Sequence, residues 1–469
     1  MDRTGIEKRI EEMLVRNSAR MSQLSDSADL TDYASLTRRE TDGGHEITVW
    51  TEAFSAALRE HEIVRIPASP EPYYVDGTVI VPSNRWIDAD SEAVIKQASY
   101  SRVIMMRNEK AADGTESPVI RGDEDKNIFI TGGVWAESRE KREGYGSSGR
   151  FSEEAEFSGV SAFMFFSNLI GFSLTDAVFV NTAGFSLQIG DAADCRFERI
   201  RFRECFADGL HINGNIENLL VRDISGEVGD DLVALNMYDW LNSSVNFGPM
   251  RTVLCENIEL ADSSVYKAFR IQPGKYRYRD GSVVDCSAED MIIRDVRGML
   301  CFKMYLQKPS YLIGTEPEWG MVGSGRNIFF EDISVDVNSP IDRFDNYENS
   351  DPVRGVFAPF EIGADIESVS FENIDITLHK DRYPISCMVA VGPKSTVVSD
   401  SRGPVEVFDP YLSCRVGRMT LKNVRINGRR DFSPDEAIRQ ISFDDINGDG
   451  KSTGKGTVDA IIIDGTPIN

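Results

Sequence analysis

Residues 219–224 read LLVRDI, and the phrase returns as VLCENI at 253–258, MIIRDV at 291–296, IFFEDI at 328–333, VSFENI at 369–374 and MTLKNV at 419–424. Apolar and polar residues alternate, then Asp or Asn, then Ile or Val. A period of two puts successive side chains on opposite faces of a strand and excludes helical repeats. Briefer copies stand at 197–200 (FERI) and 441–446 (ISFDDI). A β-rich repeat broken irregularly by loops is what a parallel β-helix produces, because each coil buries its apolar side against its neighbours. The expected fold is therefore all-β, a single-stranded right-handed parallel β-helix. Asp223, Asn257, Asp295, Asp332, Asn373, Asn423 and Asp445 precede the closing apolar residue. They are expected to stack as a ladder at one turn, where Asn and Asp satisfy turn backbone groups.

Upstream, Ile6, Ile10, Met13 and Leu14 have the spacing of an amphipathic helix, and a polar stretch follows to about residue 44. Residues 1–44 are expected to form a helical N-terminal appendage and 45–469 the β-helix catalytic domain. The segment TEAFSAALREH, 51–61, places Phe54, Ala57 and Leu58 on one face of a short capping helix with Thr51 as N-cap, fit to cover the open end of the first coil.

The formal charge of -25 repels nucleic acid phosphates and anionic membrane surfaces, so neither is an expected partner. Seven cysteines without C-x-x-C spacing exclude a zinc knuckle or redox motif and read as reduced, buried thiols. The charged start MDRTGIEKRIEEML has no apolar run like a signal peptide, and no stretch is long enough to span a bilayer, so a cytoplasmic setting is expected. No cofactor is expected, and oligomeric state leaves no mark in the sequence.

Chemistry concentrates between Cys205 and Lys275. Asp208 lies in the phrase Ala207-Asp208-Gly209, and Asp230 with Asp231 in Gly229-Asp230-Asp231. Asp208 and Asp230 are 22 residues apart, about one coil, and are expected to stack as lateral neighbours. Carboxylates this close cannot all ionise freely, which supplies a proton donor and an ionised base together. Glycoside hydrolysis needs that pair, so Asp208, Asp230 and Asp231 are the candidate catalytic residues.

These phrases resemble those of the polygalacturonase-like glycoside hydrolases (family 28) of the pectin-lyase-like superfamily. That family carries N-T-D-G, then G-D-D one coil later, then G-H-G and R-I-K. Here Ala207-Asp208-Gly209 matches the first with Ala for Thr, and Gly229-Asp230-Asp231 matches the second fully. Phe269-Arg270-Ile271-Gln272 matches the last with Gln for Lys; G-H-G is missing, and His211 sits beside Asp208 instead. The likeness spans most of residues 46–460, with distinctive motifs between about 205 and 310. It implies Asp230 as general acid, Asp208 and Asp231 sharing the activation of water in an inverting displacement, and Arg270 binding the sugar.

Further substrate-binding candidates are His211, Gln272, Lys275 in place of the missing lysine, and Tyr305 as a subsite tyrosine. Asp239 and Trp240, just after the G-D-D strand, are candidates to bond a hydroxyl and to stack on a sugar; Tyr238, Tyr276 and Trp319 are further stacking candidates. The run KYRYR, 275–279, with Lys267, Lys303 and Lys308, reads equally as positive charge for an anionic sugar and as a solvated loop. Asp445 to Gly450 imitates the start of a calcium loop, but the twelfth position is Gly456, so a turn and no metal site is expected.

The expected function is a glycosidase acting on an oligo- or polysaccharide, exo-acting if its substrates are short imported oligosaccharides. The alternatives on the same fold are a polysaccharide lyase or epimerase, a glycosyl (fructo-type) transferase, and a non-catalytic carbohydrate-binding β-helix.

Overall fold

Six of the residues that precede a closing apolar position, Asp223, Asn257, Asp295, Asp332, Asn373 and Asn423, adopt φ between 50° and 57°. Asn and Asp enter this left-handed region at lower cost than other side-chain-bearing residues, which is why the repeat demands them there. Asn257 donates to Asp223, Asn373 to Asp332 at 2.8 Å and Asn423 to Asn373 at 2.6 Å, so the corners form the expected ladder. A second ladder opens each phrase: Asn84, Asn127, Asp194, Asn218, Thr252, Asp290 and Asn327 also have positive φ. Its rungs include Asn218 to Asp194 at 2.9 Å and Asn327 to Asp290 at 2.8 Å.

Between these corners run the strands of a right-handed parallel β-helix. The structure is a computed structural model that describes residues 1–101, 103–114, 122–137, 157, 160, 162–238, 246–261, 264, 268–278, 280–297, 322–337, 358–380, 387–392, 413–441 and 455–468, and the backbone of strands at 302–305, 395–400 and 403–407. Long strands at Phe185–Cys205, Ile216–Val228, Met250–Leu260, Ala288–Arg297, Ser324–Val337 and Asp365–Leu378 pair in parallel, each with the next. Inside, like residues stack from coil to coil, as in Phe179 on Phe202 at 5.5 Å and Phe330 on Phe371 at 5.2 Å. A third ladder of short strands, Leu210–Asn213, Val233–Asn236, Phe269–Ile271, Phe302–Tyr305, Phe360–Gly363 and Val389–Val391, continues the start of Phe185–Cys205 and carries the chemistry.

The last coil differs from the expected one. Asn423 donates its backbone N–H to Asp464 at 2.8 Å, and Cys414–Lys422 pairs with Gly456–Ile463, so Asp464 stands at the corner after Asn423. Ile441 donates its backbone N–H to the Val391 carbonyl at the end of the third ladder. Asp445 itself, and the calcium-like turn around it, lie outside the described residues.

Helix α1 (Arg3–Met21) is capped by Asp2, which accepts from the Gly5 N–H at 2.9 Å. Its Ile6, Ile10 and Met13 bury against Leu220, Leu254 and Ile292, the second residue of three successive phrases. The helix thus covers apolar residues that the alternation points outward. The expected helical appendage ends at Met21: Ser27–Asp29 pairs in parallel with Ile63–Ile66, and Arg38–Asp42 forms a hairpin with His45–Val49. Edge pairing of Ser27–Asp29 satisfies its backbone better than an isolated polar helix would. Helix α2 (Thr51–Glu60) packs Phe54, Ala57 and Leu58 into the first coils. Trp50 is its N-cap; Thr51 is the first helical residue, and its hydroxyl bonds Asp76 at 2.8 Å. Six cysteines are free and buried, and burial pushes the Cys387 thiol up to about 12; Cys301 lies outside the described residues.

Charge fastens α1 to the coils at Asp194, which takes Arg16 at 2.7 Å and Arg20 at 2.9 Å. Burial raises the pKa of this carboxyl, but the hydrogen bonds from Arg16 and Asn218 and the two guanidinium charges outweigh it, and the net direction is down. A depressed folded-state pKa contributes stability above the unfolded value, and that stability is lost as pH falls through the folded value. Amide exchange of residues 3–21 is therefore expected to accelerate first on acidification below about pH 4. Asp194→Ala should cost about 1–2 kcal/mol, reduced by solvent screening at Arg16, and should flatten that acid dependence. An unchanged exchange profile in the variant would remove Asp194 as the fastening.

Candidate active site

The G-D-D and A-D-G phrases place aspartates just before two strands of the short ladder, Leu210–Asn213 and Val233–Asn236. Gly209 and Gly229 are required by the closeness of the coils: a Cβ on Gly209 would stand 2.7 Å from the Leu232 carbonyl oxygen, and one on Gly229 2.6 Å from that of Phe206. The glycines beside the aspartates are packing residues that let one carboxylate-bearing coil sit directly on the next.

The register corrects the stacking expected from sequence. Leu210 pairs with Val233, and the Gly209 N–H donates to the Asp231 carbonyl at 3.0 Å, so the coil here is one residue longer and Asp208 stands beside Asp231, not Asp230. The Asp231 N–H donates to Asp208 Oδ1 at 3.1 Å across a separation of 23 residues. Asp230 is offset by one residue, yet one carboxylate oxygen from each of Asp208, Asp230 and Asp231 lies within 4.8 Å of the others. Asp208 and Asp231 are fully buried; Asp230 retains 4% exposure.

Arg270, next on the ladder after Ala234, supplies the counter-charge. Its Nε is 2.9 Å from Asp231 Oδ2 and its guanidinium 3.5 Å from Asp208 Oδ2. His211 Nδ1 bonds the same Asp208 Oδ2 at 2.6 Å, and the ring stacks on Phe185 at 3.8 Å, with Asn236 Nδ2 at 3.4 Å. His211, a substrate-binding candidate, is fully buried and holds Asp208 through that bond.

The same carboxylates are close enough to share a cation, but Arg270 already lies between Asp208 and Asp231, where such an ion would take its charge balance. Gln272, beside Asn236 on the ladder, is buried to 1% on the same outward face as Arg270. Lys275 is placed elsewhere. It pairs opposite Asp285 in a hairpin of Gly274–Arg277 with Val283–Cys286, and its charge acts on Asp365. Asp285 and Asp365 line a separate groove of about 560 Å³ with Glu289, Arg326, Arg415 and Asp459. Tyr238 and Tyr276, expected to stack on sugars, are core residues at 2% and 8% exposure, and Tyr276 stacks on Phe247 at 3.9 Å. Alternation along the hairpin strand buries Tyr276 while Lys275 and Arg277 face outward. Asp239, Trp240, Lys267, Arg279, Lys308 and Trp319 lie outside the described residues, as do the side chains of Lys303 and Tyr305. Sequence reading missed Asn236 and Phe185, whose amide and ring hold His211; the alternation of the short strands was the available signal.

Among the described residues no helix is long and apolar enough to cross a membrane. No family model and no curated protein matches the chain. Among solved structures, 22 chains are similar. The surface adhesin PfbA of Streptococcus pneumoniae is 10% identical, with a TM-score of 0.49 over 85% of this chain and 88% of that one. The endo-xylogalacturonan hydrolase of Aspergillus tubingensis is 14% identical, with a TM-score of 0.48 over 85% and 93%. The family 28 exopolygalacturonase of Yersinia enterocolitica is 11% identical, with a TM-score of 0.47 over 94% and 79%. At these identities the likeness reaches no further than the β-helical winding.

Proposed function

We propose that the chain is a glycoside hydrolase in which Asp230 protonates the leaving oxygen and Asp208 with Asp231 activates the attacking water. The observation that carries this reading is the trio of buried carboxylates from two successive coils, gathered within 4.8 Å, with the Arg270 guanidinium set against Asp208 and Asp231. Neighbouring carboxyls of this kind supply a proton donor beside an ionised base, and Asp230, which is not wholly buried, is assigned the donor.

A separation this short suits a covalent glycosyl-enzyme, in which one carboxylate attacks the anomeric carbon. The hydrogen bonds favour water instead. Asp208 accepts from the Asp231 N–H, His211 and Arg270, and Asp231 is paired with Arg270. Carboxylates tied in this way hold and polarise a water more readily than they swing to form an ester. Inversion is the expected stereochemistry, and exo action predicts that short products appear from the first time point.

The test is incubation with a panel of neutral and uronic oligosaccharides, following new reducing ends and the anomer first released by proton NMR. Release of the inverted anomer supports the assignment; retention would move the chemistry to a carboxylate nucleophile. Ultraviolet-absorbing unsaturated ends, lost on adding chelator, would replace hydrolysis by a lyase reaction. Arg270 in the cation position argues against the latter, and chelator is expected to leave the rate unchanged.

A further inference from the structure

The short-strand ladder presents two outward rows beyond the aspartates. One row holds Gln188, His211, Ala234 and Arg270; the other, two residues along each strand, holds Asn213, Asn236 and Gln272. Gln188 Nε2 donates to Asn213 Oδ1 at 2.8 Å, and Asn236 lies against His211. Gln272 is different. It is 99% buried, and neither its Oε1 nor its Nε2 has a hydrogen-bond partner among the described residues. A buried amide with both ends unmet is unfavourable in a packed protein and marks a place where a ligand supplies the missing groups.

We infer that Gln272 is a specificity-determining residue that reads an uncharged sugar, its amide meeting a neighbouring donor and acceptor such as two ring hydroxyls or a hydroxyl and an acetamido group. This rests on the hydrolase reading for the identity of the ligand as a sugar. Its neutrality follows from two observations. The Arg270 guanidinium is engaged by Asp208 and Asp231, and the Lys275 charge acts on Asp365. An amide offers one donor end and one acceptor end, which pairs with hydroxyls and not selectively with a carboxylate. A site built to bond hydroxyls rejects analogues that lack them far more strongly than an apolar pocket does.

Binding can be measured without turnover in the Asp230→Asn background, by calorimetry. The probes are α-1,4-linked tetragalacturonate, the same oligosaccharide with its carboxyls reduced to hydroxymethyl groups, and neutral gluco- and N-acetylamino-tetrasaccharides. The tightest ligand is expected to be neutral, and Gln272→Met is expected to weaken it at least tenfold. Because Met keeps the shape and removes the orphaned amide, the thermal midpoint should stay level or rise, which a structural role for Gln272 would not allow. Lys303 follows Arg270 on the ladder and serves as the control. Tightest binding of tetragalacturonate, lost in Lys303→Ala, would overturn the inference. So would a neutral ligand held within twofold by Gln272→Met, a fall in its thermal midpoint with binding intact, or no binding of any neutral probe. A neutral ligand bound through Gln272 but never cleaved by the wild-type chain would sink the hydrolase reading and leave the neutral-ligand assignment standing.

Discussion

Asp230→Asn is expected to lower turnover of an unactivated oligosaccharide by about 10²–10⁴, the usual worth of a positioned general acid, with KM and the thermal midpoint little changed. The amide is nearly isosteric, and Asp230 is the member of the trio that retains exposure, so packing is undisturbed. Two further readouts separate an acid from a residue that merely shapes the site. An aryl glycoside with a good leaving group needs no protonation, so the variant should lose far less activity towards it. The alkaline limb of the rate profile, which reports loss of the acid's proton, should also disappear. Asp208→Asn is expected to behave otherwise, slowing both substrates alike, because activation of water is needed whatever the leaving group. Wild-type turnover of the oligosaccharide by Asp230→Asn would eliminate the proposed acid.

The fold was legible because its corners demand particular residues. A left-handed corner every coil admits Asn and Asp cheaply, so LLVRDI and its copies announce both the strand and where it bends. The opening ladder of Asn218, Thr252, Asp290 and Asn327 obeys the same rule but was harder to see, because Thr252 breaks the Asn/Asp pattern. At the site, the A-D-G and G-D-D phrases pointed to the three carboxylates, and the family resemblance to Arg270. What it could not supply was register. Counting between motifs gave one coil to Asp230, whereas the carbonyl that receives the Gly209 N–H belongs to Asp231. A shift of one residue exchanges the face of every side chain in a strand, so such details come from backbone pairing alone. Lys275 shows the same limit: three residues after Gln272, it is carried by a hairpin to Asp285 and Asp365. His211 was a candidate as the histidine that stands beside Asp208 where the G-H-G phrase is missing. Its stack on Phe185 and its complete burial depend on the pairing of the short strands and could not be read from that position.

Arg270→Leu is expected to be among the most destabilising single changes in the chain, costing about 3–5 kcal/mol near neutral pH. The guanidinium pairs with two carboxylates that are wholly removed from solvent, and leucine leaves both without their cation. The variant can relieve the burial by holding an additional proton in the folded state. A folded state that binds more protons than the unfolded chain gains stability as pH falls. The defect should therefore shrink on mild acidification, the reverse of the acid loosening expected at Asp194. Arg270→Leu combined with Asp231→Asn should recover a large share of the loss, since the two positions form one charge unit and their effects cannot add. Thermal midpoints of the single and double variants between about pH 5 and 8 measure both effects. Equal stability of Arg270→Leu and wild type throughout would show that the aspartates are balanced by another group, and Arg270 would then act on the sugar alone.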